Sequence, residues 1–271
     1  MKKLCNIILT LVLSFTLLGC STVEPIQDNA LDTLETTIQN LSNIKASHYG
    51  ASLNATAGED YTTLSITGAF KNNPTNYSMN VGMKAAASGE EFNYDDFMVI
   101  AMDDQYAYTN FMGMMKYKTP VSKEDTSQPI SLNESIDFDK EAFKQYLTKA
   151  SYQDQTIHLE FNTDKISEEL QKALQDESIM TSDPTGMVSG LMDTYANLKI
   201  NEVTANIIVK DNMLADLELS IKASDTSQEP SVENNVVFKL AFSEVNGDVK
   251  VEMPLDKDTY ELMDDTSALL Q

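Results

Sequence analysis

Long runs in which apolar and polar side chains alternate at every step constrain this chain most. Period two puts alternate residues on opposite faces of an extended strand, so such a run predicts a β-strand with one face buried. Leu64, Ile66 and Phe70 share one face, with Thr63, Ser65 and Thr67 on the other. Tyr77, Met79, Val81, Met83 and Ala85 alternate in the same way with Ser78, Asn80, Gly82 and Lys84. Phe97 to Met102 is apolar on both faces, which predicts an inner strand covered on both sides. Gln105 to Phe111 and Met114 to Lys118 follow. The connections Asn72-Asn73-Pro74, Ser88-Gly89-Glu90 and Asp103-Asp104 are too short for parallel crossovers, so the strands form an antiparallel meander.

A second strand region lies near the C-terminus. Val203, Ala205, Ile207 and Val209 alternate, then Leu217, Leu219 and Ile221 after an Asp211-Asn212 turn. Val236, Phe238, Leu240 and Phe242 share a face, and Asn246-Gly247 predicts a hairpin with Val249 to Met253 as its return strand. The tail from Leu255 reads as a turn of helix. Helical spacing marks the rest. Leu31, Leu34, Ile38, Leu41 and Ile44 recur at three- and four-residue steps, with Asp28 or Asn29 as the expected cap. Phe138 to Lys149 places Phe143, Tyr146 and Leu147 together, and Ile166, Leu170, Ala173 and Leu174 mark another helix beyond a short strand, Thr156 to Phe161. Asp183-Pro184 predicts the start of a third, with Leu191, Met192, Tyr195 and Leu198 along it. The order helix, strands, helices, strands predicts an α+β fold: an antiparallel sheet with helices packed on one face.

The N-terminus carries a different signal. Lys2 and Lys3 precede an apolar run from Ile7 to Leu18, too short to span about 30 Å of hydrocarbon but right for the core of a signal peptide. The run ends Leu17-Leu18-Gly19-Cys20, which looks like the lipobox of bacterial lipoproteins. Small Gly19 suits the residue before the cut, and the Cys20 thiol would accept a diacylglyceryl group, with its new α-amine open to acylation by a fatty acid such as palmitate. The expected division is a signal peptide at 1–19, a lipidated N-terminus and tether at 20–28, and one domain at 29–271. Residues 21–27, fully extended, reach only about 25 Å, which keeps that domain close to the bilayer. The expected place is the extracytoplasmic face of the cell membrane.

Cysteine usage agrees. The two cysteines are Cys5 and Cys20. Cys5 falls in the signal peptide, leaving the domain no disulfide, thiolate nucleophile or sulfur metal site. The formal net charge is -23, and all 19 basic residues are lysine. A field of that sign disfavours nucleic acid, and without arginine there is no bidentate fork for phosphates. Asp95-Asp96, Asp103-Asp104 and Asp264-Asp265 lack the spacing of a calcium loop, so no metal and no cofactor is expected. His48 and His158 stand far apart, outside any metalloprotease motif, and no nucleophile elbow or phosphate loop is present. An enzyme is not expected. A substrate-binding subunit of an importer also fits poorly, because such proteins alternate strands and helices around parallel sheets.

The layout across Asn29 to Met253 resembles the lipoprotein carrier superfamily: the LolA/LolB-like proteins and the LppX/LprG lipoproteins, with lipoproteins of low-GC Gram-positive bacteria sharing it. Local textures carry the resemblance: Ile66-Thr67-Gly68-Ala69-Phe70 before a turn, Gln105-Tyr106-Ala107-Tyr108, and Val209-Lys210-Asp211-Asn212-Met213-Leu214. The tryptophan common in such strands is missing here. The resemblance implies a strongly curved, incomplete barrel closed by helices around an apolar cavity for acyl chains, and it brings no catalytic residues. Of the 14 methionines, several fall on strands, and methionine's flexible, polarizable side chain suits surfaces that accept varied apolar shapes. Met79, Val81, Met83, Met98, Ile100 and Met102, on neighbouring strands, are the candidate lining. The expected partners are the membrane, through the anchor, and a lipid or other apolar ligand. The competing expectation is a non-catalytic surface module that binds an envelope protein.

Overall fold

The computed structural model describes residues 26–122, 126–127, 130, 132, 138–174, 198–227 and 231–263. The signal peptide, Gly19, Cys20, residues 21–25 of the tether and the helix expected from Asp183 lie outside these residues, except Leu198, which opens a strand because it pairs with Asp225 instead.

Among the described residues, twelve strands form a single sheet: β1 (Ala46–Ala57), β2 (Asp60–Lys71), β3 (Asn76–Ala87), β4 (Glu90–Met102), β5 (Tyr106–Phe111), β6 (Met115–Pro120), β7 (Leu147–Gln153), β8 (Thr156–Phe161), β9 (Leu198–Lys210), β10 (Met213–Asp225), β11 (Val232–Ser243) and β12 (Glu261–Leu262). Their order is β12-β6-β5-β4-β3-β2-β1-β11-β10-β9-β8-β7. Every pair is antiparallel except the two-residue β12, which lies parallel to β6. The sheet is curved and does not close. Tight turns with positive φ at both central residues join several hairpins: Ser88-Gly89, Met112-Gly113, Asp154-Gln155 and Asp211-Asn212. These are the turns whose twist matches that of the flanking strands.

Among the described residues, three α-helices pack on one face. α1 (Asp28–Asn40) buries Ala30, Leu31, Leu34 and Thr37 at three- and four-residue steps. Its cap is Gln27, whose side chain does not bond the helix, so neither expected cap serves. Asp28 lies in the first turn instead and accepts a bond from Lys144 at 2.9 Å, and that bond holds its carboxyl below the usual range. α2 (Lys140–Lys144) is capped by Asp139, which accepts from the Ala142 amide at 3.0 Å. α3 (Thr163–Leu174) starts where Asn162 accepts from the Asp164 and Lys165 amides. Leu31, Leu34, Phe143, Tyr146 and Ile166 meet Ile157, Leu159, Val203, Ala205 and Ile207 in one core.

Two expectations give way here. The helix expected through Lys149 stops at Lys144, and Leu147 already pairs with Phe161 as the start of β7. The Asn246-Gly247 hairpin does not form. β11 pairs with β1 on one side and β10 on the other, so no edge is free for a return strand. The Asn246 amide instead donates to the Ala46 carbonyl at 2.8 Å, and its side chain bonds Lys45 and Asn43.

The segment beyond Glu244 therefore crosses the opposite face of the sheet as a strap. Val249 packs on Ala46 and Ala69, and Tyr260 packs on Ala101 and Tyr108. This explains why the end of β4 is apolar on both faces: Ala101 is covered by the strap, and Ile100 is buried on the inner face. Asp103 anchors the strap. It accepts from the Gln105 and Tyr106 amides at 2.9 Å and from the Tyr108 hydroxyl at 3.0 Å, with the Lys257 ammonium at 3.6 Å. Burial alone would raise its carboxyl, but these donors outweigh burial and hold it below the usual range. Burial and the bond to Asp103 push the Tyr108 phenol up to about 12. A carboxyl held lower in the folded chain stabilises the fold above its unfolded value of 3.8 and loses that contribution as pH falls through the folded value. Asp103→Asn should cost about 1–2 kcal/mol at pH 7 and flatten the loss of stability below pH 4, measured by urea unfolding across pH.

Candidate functional site

Pairing between strands sets which side chains share a face. One cross-strand row can be followed through eleven strands: Met115, Phe111, Met98, Val81, Ile66, Ala51, Leu240, Leu217, Ile207, Ile157 and Tyr152. Every member presents an apolar body on the face that carries α1, α2 and α3. The next row holds Met83, Leu64, Leu53, Phe238, Leu219, Ala205, Leu159 and Ala150. Rows on the opposite face are polar, for example Gly82, Ser65, Ser52, Lys239, Glu218, Asn206, His158 and Ser151. The sheet thus has one apolar inner face and one polar outer face.

The three described helices do not contact that inner face evenly. Ile157 and Ile207 are buried in the core under α1. Ile66, Ala51, Leu53, Leu64, Met98 and Phe238 stay half-buried. At these six residues the apolar surface runs on beyond the helical core, which reaches β1, β2 and β3 only at Tyr49, Phe70 and Tyr77.

The six candidates from the sequence meet here. Met79 pairs with Ile100, Val81 with Met98, and Met102 with Tyr77, so five of them sit on one face of two adjacent strands. Met83 is one step beyond, opposite Tyr94, where the register shifts and β4 carries two more residues than β3. Val81, Ile100 and Met102 are buried; Met79, Met83 and Met98 are half-buried. Sequence reasoning missed Ala51 and Leu53 of β1, which join the two strand regions into one face. The weak signal was available as alternation of Tyr49, Ala51, Leu53 and Ala55 with His48, Gly50, Ser52 and Asn54.

Gly68 belongs to the same face, and a side chain has no room there. A Cβ would lie 2.2 Å from the Ser78 carbonyl oxygen and 2.6 Å from the ring of Tyr49. The Tyr49 ring takes that space, donates its hydroxyl to Ser78 O at 3.2 Å and leans on Phe70. Glycine here lets an aromatic ring lie flat across the sheet between β1 and β3.

Two grooves lined wholly by described residues open on the polar face. One, of about 600 Å³, crosses β2, β1, β11, β10 and β9 past Gly50, Ser52, Thr67, Asn206, Glu218 and Lys239. The other, of about 510 Å³, runs beside the strap past Lys71, Asn76, Asp103, Asp248, Lys250 and Met253. Neither includes the six candidates.

The histidines sit on the outer face. His48 lies 3.4 Å from Glu244, and His158 bonds Asn206 at 2.8 Å and Glu160 at 3.2 Å. Among the described residues, no three histidine, aspartate or glutamate side chains gather where a metal ion could be held, and no helix is long and apolar enough to cross a membrane.

No protein-family model matches the sequence, and no curated protein matches it. Solved structures match in chain course. LprF from Mycobacterium bovis is 10% identical, aligns over 85% of this chain and 99% of its own, and has a TM-score of 0.39. The Mycobacterium tuberculosis lipoprotein LppX is 8% identical, aligns over 83% of this chain and 100% of its own, and has a TM-score of 0.30.

Proposed function

We propose that this protein is a non-enzymatic lipoprotein, cleaved after Gly19 and acylated on Cys20. Held on the extracytoplasmic face of the cell membrane, it carries a lipid or other apolar ligand against the inner face of its sheet. The observation that supports this most is the eleven-strand apolar row, buried under α1 at one end and half-buried at Ala51, Ile66 and Met98. Monomeric soluble domains rarely leave large contiguous apolar surface without a use for it. Met79, Val81, Met83, Met98, Ile100 and Met102 would line the bound chain, with Ile66, Ala51 and Leu53 beside them.

The magnitude is adequate. Each buried methylene contributes about 0.8 kcal/mol, so about ten of an acyl chain give roughly 8 kcal/mol before the cost of ordering it. That gross figure corresponds to about micromolar affinity. Lipid extraction of the protein purified from its membrane tests the reading: an apolar ligand should be recovered in stoichiometric amount.

A further inference from the structure

Large apolar side chains collect at one place on the surface. Met114 is 72% exposed, Met115 54%, Phe92 48% and Tyr94 40%. Met114 and Met115 sit at the turn between β5 and β6. Phe92 and Tyr94 sit on the first half of β4, which β5 leaves unpaired because it meets only Met98 to Met102. The pairs Met83–Tyr94, Ala85–Phe92 and Phe111–Met115 put Tyr94, Phe92 and Met115 on the inner face, so this rim is where that face runs out to solvent.

The rim is held in shape. The Phe111 ring meets Phe97 edge-on at 5.1 Å, and Phe97 meets Tyr94 at 6.5 Å. The Met112 amide donates to Phe97 O at 3.0 Å, and Asn110 accepts from the Gly113 amide at 2.9 Å. A fixed turn that displays two methionines beside two aromatic rings has the composition of a surface that sits among lipid headgroups and upper acyl chains.

We propose that Phe92, Tyr94, Met114 and Met115 form a rim that lies in the interface of a zwitterionic phospholipid bilayer. The chain's entry point supports this occupant. Gln27 donates to the Ala150 carbonyl and accepts from the Tyr152 amide on β7. Tyr152 ends the same cross-strand row that begins at Met115. The entry point at Gln27 thus sits at the same level along the strands as Met115. Charge selects the lipid: Glu90, Glu91, Asp95 and Asp96 are exposed beside the rim and repel an anionic surface. This inference rests on acylation of Cys20 for the anchor, and on the carrier reading for its consequence: the rim is then the mouth of the apolar face.

The full chain, purified from its membrane with Met114→Cys carrying an environment-sensitive fluorophore, is reconstituted in phosphatidylcholine vesicles with or without brominated acyl chains. Bromination should quench this label about two-fold, because an interfacial side chain reaches the upper acyl region. The same label at Thr67→Cys, exposed on the outer face, should be unchanged. Adding Phe92→Asp and Met115→Asp should abolish the quenching at Met114→Cys. Equal intensity at Met114→Cys in both vesicles, or quenching that survives the two aspartates, overturns the rim contact. Lipid extraction of the same sample separates the two readings. A loaded protein without quenching refutes the rim alone; an empty protein with quenching refutes carriage and leaves the bilayer contact standing.

Discussion

Replacing Gly68 with alanine should destabilise the protein by about 3 kcal/mol or more, while the same change at Gly50 should be nearly neutral. Both glycines lie inside long strands, so propensity alone predicts the same modest gain at each. Geometry separates them. The Cβ at Gly68 falls 2.2 Å from Ser78 O and 2.6 Å from Tyr49, and Ser78 O is fixed backbone. Relief requires Tyr49 to leave its place, which breaks its hydroxyl bond and its contact with Phe70 and opens the seam between β2 and β3. At Gly50 the nearest atom is Ile66 O at 4.0 Å. A domain with about 5–15 kcal/mol of total stability would show the difference plainly in its denaturant midpoint. Equal midpoints for the two variants would mean that Tyr49 is free to move and that the inner face is looser than described.

Cys20→Ala should abolish membrane attachment outright. Acyl chains contribute about 0.8 kcal/mol per buried methylene, and one chain alone holds a protein only marginally. A diacylglyceryl group with an added N-acyl chain supplies more than one chain and so anchors stably. Without the thiol there is nothing to acylate, and Met114, Met115, Phe92 and Tyr94 are too few to replace it. Metabolic labelling with a palmitate analogue, followed by fractionation, reads both effects. Label that persists in the Cys20→Ala protein would contradict the anchor.

Much of the sheet was legible because each strand carries its own alternation. β2, β3, β9, β10 and β11 all announce themselves in period two, and Asp211-Asn212 marks its turn. What stayed hidden was non-local. β1 shows only small residues between Tyr49 and Leu53, so its hydrophobic signal is faint, yet it is the strand that joins the N-terminal meander to β11. The helix expected through Lys149 arose because Phe143, Tyr146 and Leu147 recur at helical steps; the Asp154-Gln155 turn that pairs β7 with β8 is a weak turn signal. Asn246-Gly247 is a strong hairpin signal that failed for a topological reason, since both edges of β11 were already taken. The six candidate residues came together on one face because β3 and β4 are neighbours in sequence and in the sheet. Their continuation through Ile66, Ala51, Leu240 and Leu217 depends on strand order, which no local pattern contains.

The central claim is that the inner face carries an apolar ligand. Native mass spectrometry of the full chain from its own membrane, with lipid extraction of the same sample, tests it most directly. The predicted result is a complex heavier than the acylated chain by the mass of one apolar ligand, lost when Ile66→Lys places a charge in the middle of the eleven-strand row. A protein that is uniformly ligand-free, with a solved structure showing its own side chains filling the space over β1 to β4, would contradict it.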